Sequence, residues 1–246
     1  MSVGTSTIRD NIARVRQTIA EAAVRAGRDP SEVKLVAVSK TKSAKEVAEA
    51  AACGLRRFGE NRVQEAAAKI PRVRELVASP LEWQLVGTLQ RNKVKAALPL
   101  FAILQSVDSL RLAEAIDRQA DGSPVAVLLE VYLGNDPSRP GFRPGELTEA
   151  LPRLAALPGL DFRGLMTVAP LGLDEAGNRA VFAGLRELRD RLIAGQPGLA
   201  LPELSMGMTD DYEQAIAEGA TIVRIGTAIF GARLRGKASA QARQLT

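Results

Sequence analysis

Residues 33–42 read VKLVAVSKTK, and this stretch gives the first indication of the fold. Its first half is an apolar run of the kind that is buried in a parallel sheet. Ser39 and Lys40 end the run abruptly, and Lys42 follows two residues later. Because functional side chains collect at the carboxyl ends of parallel strands, the stretch predicts a buried strand with an amine at its functional end.

Seven similar runs follow along the chain, each with a helical pattern behind it. The eight predicted strands cover residues 34–39, 56–60, 83–87, 102–107, 125–133, 162–168, 203–207 and 221–226. Repeated strand–helix units imply parallel strands in either a closed barrel or an open doubly wound sheet. Eight units within 246 residues favour an α/β fold with a single TIM (β/α)8 barrel. The chain lacks a P-loop and a GxGxxG turn after its first strand, which weakens nucleotide-binding interpretations.

The chain is predicted to form one structural domain with an extra helix at its start. Residues 8–27 place apolar side chains at helical spacing and end at Gly27. We expect residues 1–28 to pack on the barrel as an N-terminal helix, and residues 29–246 to form the barrel. Segment 134–145 is rich in glycine and proline, and we expect it to be a mobile βα loop over the barrel mouth.

The amino-acid composition excludes several kinds of active site and metal site. The chain has no histidine and one cysteine, Cys53, which excludes His-assisted nucleophiles, His-ligated zinc, thiolate metal clusters and an internal disulfide. The 33 Lys and Arg residues are spread among 28 acidic residues, so the net charge of +5 indicates a mild preference for anions and no nucleic-acid partner. The sequence has no signal-like apolar core and no membrane-length apolar run, so we expect a cytoplasmic protein.

Polar side chains at the carboxyl ends of barrel strands are expected to point into the mouth. The residues collected in this way are Ser39, Lys40, Glu60, Asn61, Gln84, Gly87, Thr167, Ser205, Arg224, Gly226 and Thr227. A lysine that loses hydration is more often neutral and can attack a carbonyl, so Lys40 is a candidate for Schiff-base chemistry. Position alone equally permits Lys40 to reach solvent or to pair with Glu60. Lys42 is expected to be a solvated charge or a secondary anion contact.

The last predicted strand adds an anion-binding pattern. In VRIGTAIFG (223–231), Gly226 and Thr227 precede a short helical turn, where backbone N–H groups and a hydroxyl can cradle phosphate. Ser205 would form the neighbouring wall, although the glycines also suit plain tight turns. Arg224 alternates with two apolar residues and should face the barrel interior, where a pyridine nitrogen or a carboxylate could accept its hydrogen bonds.

An ordered series of segments from Val33 to Arg233 is similar to the pyridoxal phosphate homeostasis protein family, whose fold resembles the N-terminal barrel domain of alanine racemase. The segments are VSKTK (38–42), FGENRVQE (58–65), EWQLVGTLQRNKV (82–94), RGLMTV (163–168), LSMGMTDDYEQAI (204–216) and VRIGTAIFGAR (223–233). The resemblance implies that Lys40 holds pyridoxal 5′-phosphate (PLP) as an aldimine and that Arg224 faces the pyridine nitrogen. The other implied cofactor contacts are phosphate contacts of Ser205, Gly226 and Thr227 and a lining position for Asn61.

The resemblance implies a carrier rather than a catalyst. An arginine stays protonated and leaves the pyridine nitrogen largely neutral, so the ring is a poor electron sink. Related racemases add a tyrosine from a second domain, which we do not expect here, and neither Tyr132 nor Tyr212 is obviously placed for that role. Family members often carry a histidine at Gln84 and a lysine at Arg139. An arginine there can attract phosphate but cannot form a second aldimine.

Three functions remain open from the sequence. The resemblance favours a PLP-binding protein in intracellular PLP homeostasis, a carrier or buffer without robust catalysis, catalytic residues or a metal. The alternatives are a low-activity PLP-dependent amino-acid racemase and a different phosphate-ligand barrel in which Lys40 forms a substrate Schiff base. The expected partners are PLP and PLP-dependent apoenzymes, with no nucleic acid and no membrane, and we expect a monomer.

Overall fold

The computed structural model describes residues 6–231, and within this range eight parallel strands form a closed barrel in chain order. The strands are β1 (Lys34–Val38), β2 (Arg57–Glu60), β3 (Glu82–Leu85), β4 (Ile103–Val107), β5 (Val125–Glu130), β6 (Leu160–Met166), β7 (Glu203–Ser205) and β8 (Ile222–Ile225). β1 pairs with β2 on one side and with β8 on the other, which closes the barrel. The predicted (β/α)8 barrel is therefore confirmed, and each predicted run overlaps one strand.

Helices cover the outside of the barrel. They are α1 (Ile8–Arg25), α2 (Ala44–Ala52), α3 (Val63–Leu76), α4 (Val94–Ala97), α5 (Leu110–Asp117), α6 (Pro144–Ala155), α7 (Glu175–Gly195), α8 (Tyr212–Ala217) and α9 (Thr227–Phe230), with 3-10 turns at Pro30–Glu32 and Arg91–Lys93. Capping boxes start two of them, with Thr7 and Asp10 before α1 and Ser43 and Glu46 before α2. α1 ends just before Gly27, whose φ of 69° suits a residue that follows a helix.

The apolar side chains form two layers because successive residues of a strand point to opposite faces. The outer layer packs the helices on the strands and includes Phe58, Leu104 and Val223. Inside the barrel lies a much smaller apolar cluster, which contains Val36, Leu128, Met166 and Ile222. Polar side chains therefore share the interior with this cluster. In the part of the chain that the structure describes, no helix is long and apolar enough to cross a membrane.

α1 packs on the barrel wall beside α8 and α9. The Asn11 side-chain amide donates to the Ile229 carbonyl at 3.0 Å. The guanidinium of Arg28 donates to two backbone carbonyls in and just after α8, both at 2.9 Å. These bonds hold the helix against the wall. The division into residues 1–28 and 29–246 stays a prediction, and its outer ends lie outside the described residues.

Candidate functional site

Lys40 lies half-buried in a tight turn at the end of β1. The turn spans Ser39 to Lys42 and is closed by a hydrogen bond of 3.0 Å from the Lys42 N–H to the Ser39 carbonyl. Thr41 has a φ of 65°, a left-handed conformation that β-branched residues rarely adopt. Such a conformation persists only where surrounding contacts hold it, so the neighbours of this turn fix the backbone from which Lys40 projects.

A buried network between the barrel and α3 supplies these contacts. We call it the outer network, and it consists of Ser39, Glu60, Glu65 and Lys69. The Lys69 ammonium donates to the Ser39 carbonyl and to Glu60 Oε1, both at 2.7 Å. It also donates to Glu65 Oε1 at 3.1 Å, and the same carboxylate accepts a hydrogen bond from the Thr41 N–H. The outer network therefore holds the backbone of the turn at two points, the Ser39 carbonyl and the Thr41 N–H.

The expectation that Ser39 and Glu60 point into the mouth is wrong. Both side chains are fully buried outside the barrel wall, where the Ser39 hydroxyl donates to Glu60 Oε1 at 2.7 Å. The reason is the two-residue alternation of a strand: Phe58 packs in the outer layer, so Glu60 faces the same way. Burial raises the pKa of Glu60, although the hydrogen bonds from Lys69 and Ser39 act to lower it. Glu60 therefore supports the turn instead of facing a ligand.

Arg224 lies inside the barrel, as its alternation with apolar neighbours predicts. Its buried guanidinium donates from one terminal nitrogen to Ser205 Oγ at 2.7 Å and from the other to the Thr167 carbonyl at 2.8 Å. These contacts use two of the five N–H groups of the side chain. Burial lowers the pKa of Arg224 to about 10, so the side chain keeps its charge at neutral pH. The interior therefore holds a fixed cation beside the carboxyl ends of β6, β7 and β8.

The anion-binding pattern of the sequence lies where β8 passes into α9. Gly226 precedes the helix and Thr227 begins it, and the first N–H groups of a helix have no partner within that helix. A Cβ at Gly226 would lie 3.1 Å from the Val38 carbonyl, so glycine allows the close approach to β1. The Ala228 N–H donates to Thr209 Oγ1 at 3.4 Å. Thr209 therefore faces the start of α9 from the loop after β7.

Sequence reasoning missed Thr209 and chose Ser205 for this wall. The Ser205 hydroxyl is fully buried, where it accepts a hydrogen bond from Arg224 and donates to Gln105 Oε1 at 2.6 Å. Its predicted phosphate contact stays a prediction. A usable signal was present, because Thr209 is the first hydroxyl residue in the loop that leaves the mouth end of β7.

Lys42 ties the turn to α9, and its description as a solvated charge is wrong. Its ammonium donates to the carbonyl of Phe230, the last residue of α9, at 2.9 Å, and pairs with Glu46 at 3.4 Å. A cation at the end of a helix satisfies carbonyl groups that have no partner within the helix. The Lys40 turn and the anion-binding pattern are therefore joined by a direct bond.

Glu130 is a polar group of the interior that the sequence interpretation missed. It ends β5 two residues after Leu128 of the interior cluster, so it points inward. The residue is 8% exposed, and within the described part of the chain its Oε2 has no hydrogen-bond partner. Burial, and then the charge of Asp108, raises the pKa of Glu130 to about 7, while Arg224 and Arg139 act in the opposite direction. A carboxyl in this state is typical of functional sites.

Asn61 lies at the rim of the mouth, just after β2. With Gly87 and Lys93 it lines an open cavity of about 570 Å³ between the loops that follow β2 and β3. A Cβ at Gly87 would lie 2.4 Å from the Asn61 carbonyl oxygen, so only glycine fits there. The position of Asn61 along a cofactor stays a prediction.

The loop after β5 folds back on itself. The Tyr132 N–H donates to the Phe142 carbonyl at 3.0 Å, and the Arg143 guanidinium lies 4.7 Å from the centroid of the Tyr132 ring. Arg139 is exposed in the same loop. The other tyrosine, Tyr212, packs in the outer apolar layer. Both tyrosine side chains are therefore buried in contacts of their own.

Comparison with known proteins identifies close relatives over nearly the whole chain. Residues 3–234 match the family model described as alanine racemase, N-terminal domain. The pyridoxal phosphate homeostasis protein of Pseudomonas aeruginosa is 46% identical over 230 residues, which cover 93% of this chain and 96% of that protein. The protein of the same name from Escherichia coli K12 is 43% identical, with 92% of this chain and 97% of that protein covered.

Solved structures agree with this result. PipY of Synechococcus elongatus, solved with PLP bound, is 43% identical, has a TM-score of 0.81, and matches 92% of this chain and 100% of its own. Alanine racemase from Corynebacterium glutamicum is 21% identical with a TM-score of 0.65, covers 93% of this chain and 62% of the racemase, and supports the fold alone. The chain belongs to the alanine racemase N-terminal domain family, in its group of pyridoxal phosphate homeostasis proteins.

Proposed function

We propose that this chain binds PLP and acts in its intracellular homeostasis, as a carrier or buffer without robust catalysis. The named relatives and the PLP-bound PipY structure support this proposal. One observation of the structure carries it: the Lys40 turn and the anion-binding pattern of α9 are joined by the 2.9 Å bond between Lys42 and Phe230. The turn that carries Lys40 therefore lies next to the segment with the anion-binding pattern.

The side chains around the mouth fit the chemistry of PLP, which supplies an aldehyde, a pyridine nitrogen and a phosphate when bound. In the proposed arrangement, Lys40 offers its amine to the aldehyde and Arg224 faces the ring nitrogen. The groups proposed to hold the phosphate are the backbone of Gly226 and Thr227 and the hydroxyls of Thr209 and Thr227. Asn61 is proposed to line the ring. The printed hydrogen bonds of the buried Arg224 go to Ser205 and to the Thr167 carbonyl, while the carboxylates of Glu130 and Asp211 act on it only through their charge. Three of its five N–H groups remain to donate to a neutral acceptor.

The charge of Arg224 supports a role in holding PLP rather than in catalysis on it. Its pKa of about 10 keeps the guanidinium protonated, so it donates hydrogen bonds and does not give up its proton. Such a donor leaves a facing ring nitrogen without a proton, which lowers the electron withdrawal that carbanion chemistry needs. In addition, Tyr212 packs in the outer layer, away from the barrel interior, and the Tyr132 ring contacts the Arg143 guanidinium.

Borohydride trapping tests the proposal. Incubation with PLP should give a visible absorption band, and borohydride reduction should attach the cofactor stably to Lys40, as peptide mass spectrometry would show. Lys40→Ala should abolish this attachment, whereas Lys45→Ala, at an exposed lysine of α2, should leave it intact. Attachment to a different lysine in the unaltered protein would overturn the assignment of Lys40.

A low-activity amino-acid racemase is the second candidate. Two observations favour it: residues 3–234 match the family model of the alanine racemase N-terminal domain, and Glu130 is a buried carboxyl with a pKa of about 7 that can hold a proton near neutral pH. Incubation with L-amino acids in deuterated water separates the candidates. Exchange of the α-hydrogen well above the rate with free PLP would favour the racemase, and exchange at the rate of free PLP would favour the carrier.

The predictions on partners and location extend the proposal. We propose that PLP-dependent apoenzymes receive the cofactor, and that the protein works as a monomer in the cytoplasm. Light scattering after size exclusion measures the oligomeric state. Activation of an apoenzyme by the PLP-loaded protein, compared with an equal concentration of free PLP, measures the transfer.

A further inference from the structure

A chain of side-chain hydrogen bonds runs through the barrel interior from the mouth toward the base. We call it the inner relay, and its members are Arg224, Ser205, Gln105, Gln84 and Glu82. Arg224 donates to Ser205 Oγ at 2.7 Å, and Ser205 Oγ donates to Gln105 Oε1 at 2.6 Å. Gln105 Nε2 then donates to Gln84 Oε1, and Gln84 Nε2 donates to Glu82 Oε1. The relay therefore links β8, β7, β4 and β3.

Every hydrogen bond of the inner relay points the same way. A cation donates at the top, a carboxylate accepts at the bottom, and each neutral group between them accepts from above and donates below. Flipping the amide of either Gln84 or Gln105 alone would set two donors or two acceptors against each other. Aligned hydrogen bonds polarise one another, so the chain favours the charges at its two ends.

The relay is deeply buried except at its lower end, where the Glu82 side chain is 37% exposed. Ser205 and Gln105 are 0% exposed, Gln84 is 1% exposed and Arg224 is 4% exposed. Buried amides and hydroxyls are costly unless each finds a partner, and apolar side chains could fill the same volume, as they do in the interior cluster around Leu128. Apolar packing at this place would suffice for stability alone. The inner relay adds a fixed orientation of the Arg224 guanidinium.

We propose that Ser205, Gln105 and Gln84 are positioning residues that act through Arg224 and set how its guanidinium meets the ring nitrogen of the bound cofactor. This inference rests on the proposed function. Ser205 acts on Arg224 in this view, and the phosphate is left to Thr209 and the start of α9. The two roles of Ser205 have different consequences, because loss of a phosphate contact weakens every phosphate-bearing ligand equally, whereas misplacement of Arg224 weakens only ligands with a ring nitrogen.

Two ligands distinguish these roles: PLP and its 1-deaza analogue, in which a C–H group replaces the ring nitrogen. The unaltered protein should bind the analogue about 10-fold or more weakly than PLP, because a charge-assisted hydrogen bond is lost. In Gln105→Leu this preference should shrink to about 3-fold or less, while affinity for the analogue changes little. Gln119→Leu, at an exposed glutamine outside the relay, should keep the full preference.

Ser205→Ala and Gln84→Leu keep the test decisive if Gln105→Leu does not fold. Ser205→Ala removes a single oxygen and should reduce the preference most, and Gln84→Leu, one step further from Arg224, should reduce it less. A Ser205→Ala protein that loses affinity for both ligands in equal proportion, or relay variants that melt earlier but keep the full preference, would overturn the inference. An unaltered protein that ignores PLP would instead overturn the proposed function itself.

Discussion

The outer network and the inner relay are both mostly buried, and both include polar residues of the barrel strands, but they are built differently. The outer network centres on a charged pair, with Lys69 Nζ 2.7 Å from Glu60 Oε1. The inner relay keeps its charges, on Arg224 and Glu82, apart with three neutral groups between them. A compact ion pair locks a backbone turn, whereas a neutral chain orients one side chain. Damage to the first should therefore cost stability, and damage to the second should cost specificity.

The largest effect is expected for Lys69→Met, which breaks the outer network. The change leaves the buried Glu60 without its cation, so the free energy of unfolding should fall by about 3 kcal/mol or more. PLP binding should weaken as well, because the Lys40 turn loses the hydrogen bond on the Ser39 carbonyl. Urea denaturation and PLP titration measure both losses. Lys95→Met, at an exposed lysine of α4, is the matched control and should change stability by less than about 0.5 kcal/mol.

A second variant sharpens this result. In the double variant Lys69→Met, Glu60→Gln the buried charge is gone, so part of the lost stability should return. If Lys69→Met alone costs no more than its surface control, the outer network does not hold the turn.

Glu130 belongs to neither network, and its charge should make stability depend on pH. Its folded-state pKa of about 7 lies above the ordinary value of 4.5. The stability that this group contributes is therefore fully present below about pH 4.5 and is lost as the pH rises through 7. Glu130→Gln should be more stable than the unaltered protein by on the order of 2–3 kcal/mol at pH 8, and equal to it at pH 4. Parallel stability curves for the two proteins across this range would contradict the expectation.

A smaller effect is expected at Thr41, where the outer network holds a left-handed residue. Asparagine tolerates a φ of 65° better than a β-branched residue does. Thr41→Asn should therefore raise the free energy of unfolding by about 1 kcal/mol. Thr41→Val keeps the β-branch and serves as the control, which should show no gain. Denaturation of both variants under one set of conditions decides between relief of strain and a general surface effect.

The smallest effect is expected for an ion pair at the surface. Arg25 and Glu213 join α1 to α8 with an N···O distance of 2.6 Å, but their side chains are 59% and 47% exposed. Arg25→Met should lower the free energy of unfolding by no more than about 0.5 kcal/mol, and added salt should remove the difference. A loss as large as that of Lys69→Met would mean that burial does not explain the contrast between the two pairs.

Residue type predicted which side chains carry polar chemistry, but not always which way they point. Lys40 directly follows β1 and Arg224 lies inside the barrel on β8, as expected, and their cofactor roles stay predictions. Ser39 and Glu60 instead face α3. The difference follows from parity: neighbouring residues at the end of a strand point to opposite sides of the wall. An anchor such as Phe58, placed in the outer layer, would have given the direction of Glu60 from the sequence.

The sequence by itself determined the barrel, because eight buried parallel strands with helices between them have few other ways to cover both faces of the sheet. Only the tertiary structure decided the inner relay. Gln84, Gln105 and Ser205 lie far apart in the chain, and their contacts depend on how four strands are staggered around a closed barrel. That stagger is set by strand pairing across the whole wall, which no local pattern of residues encodes.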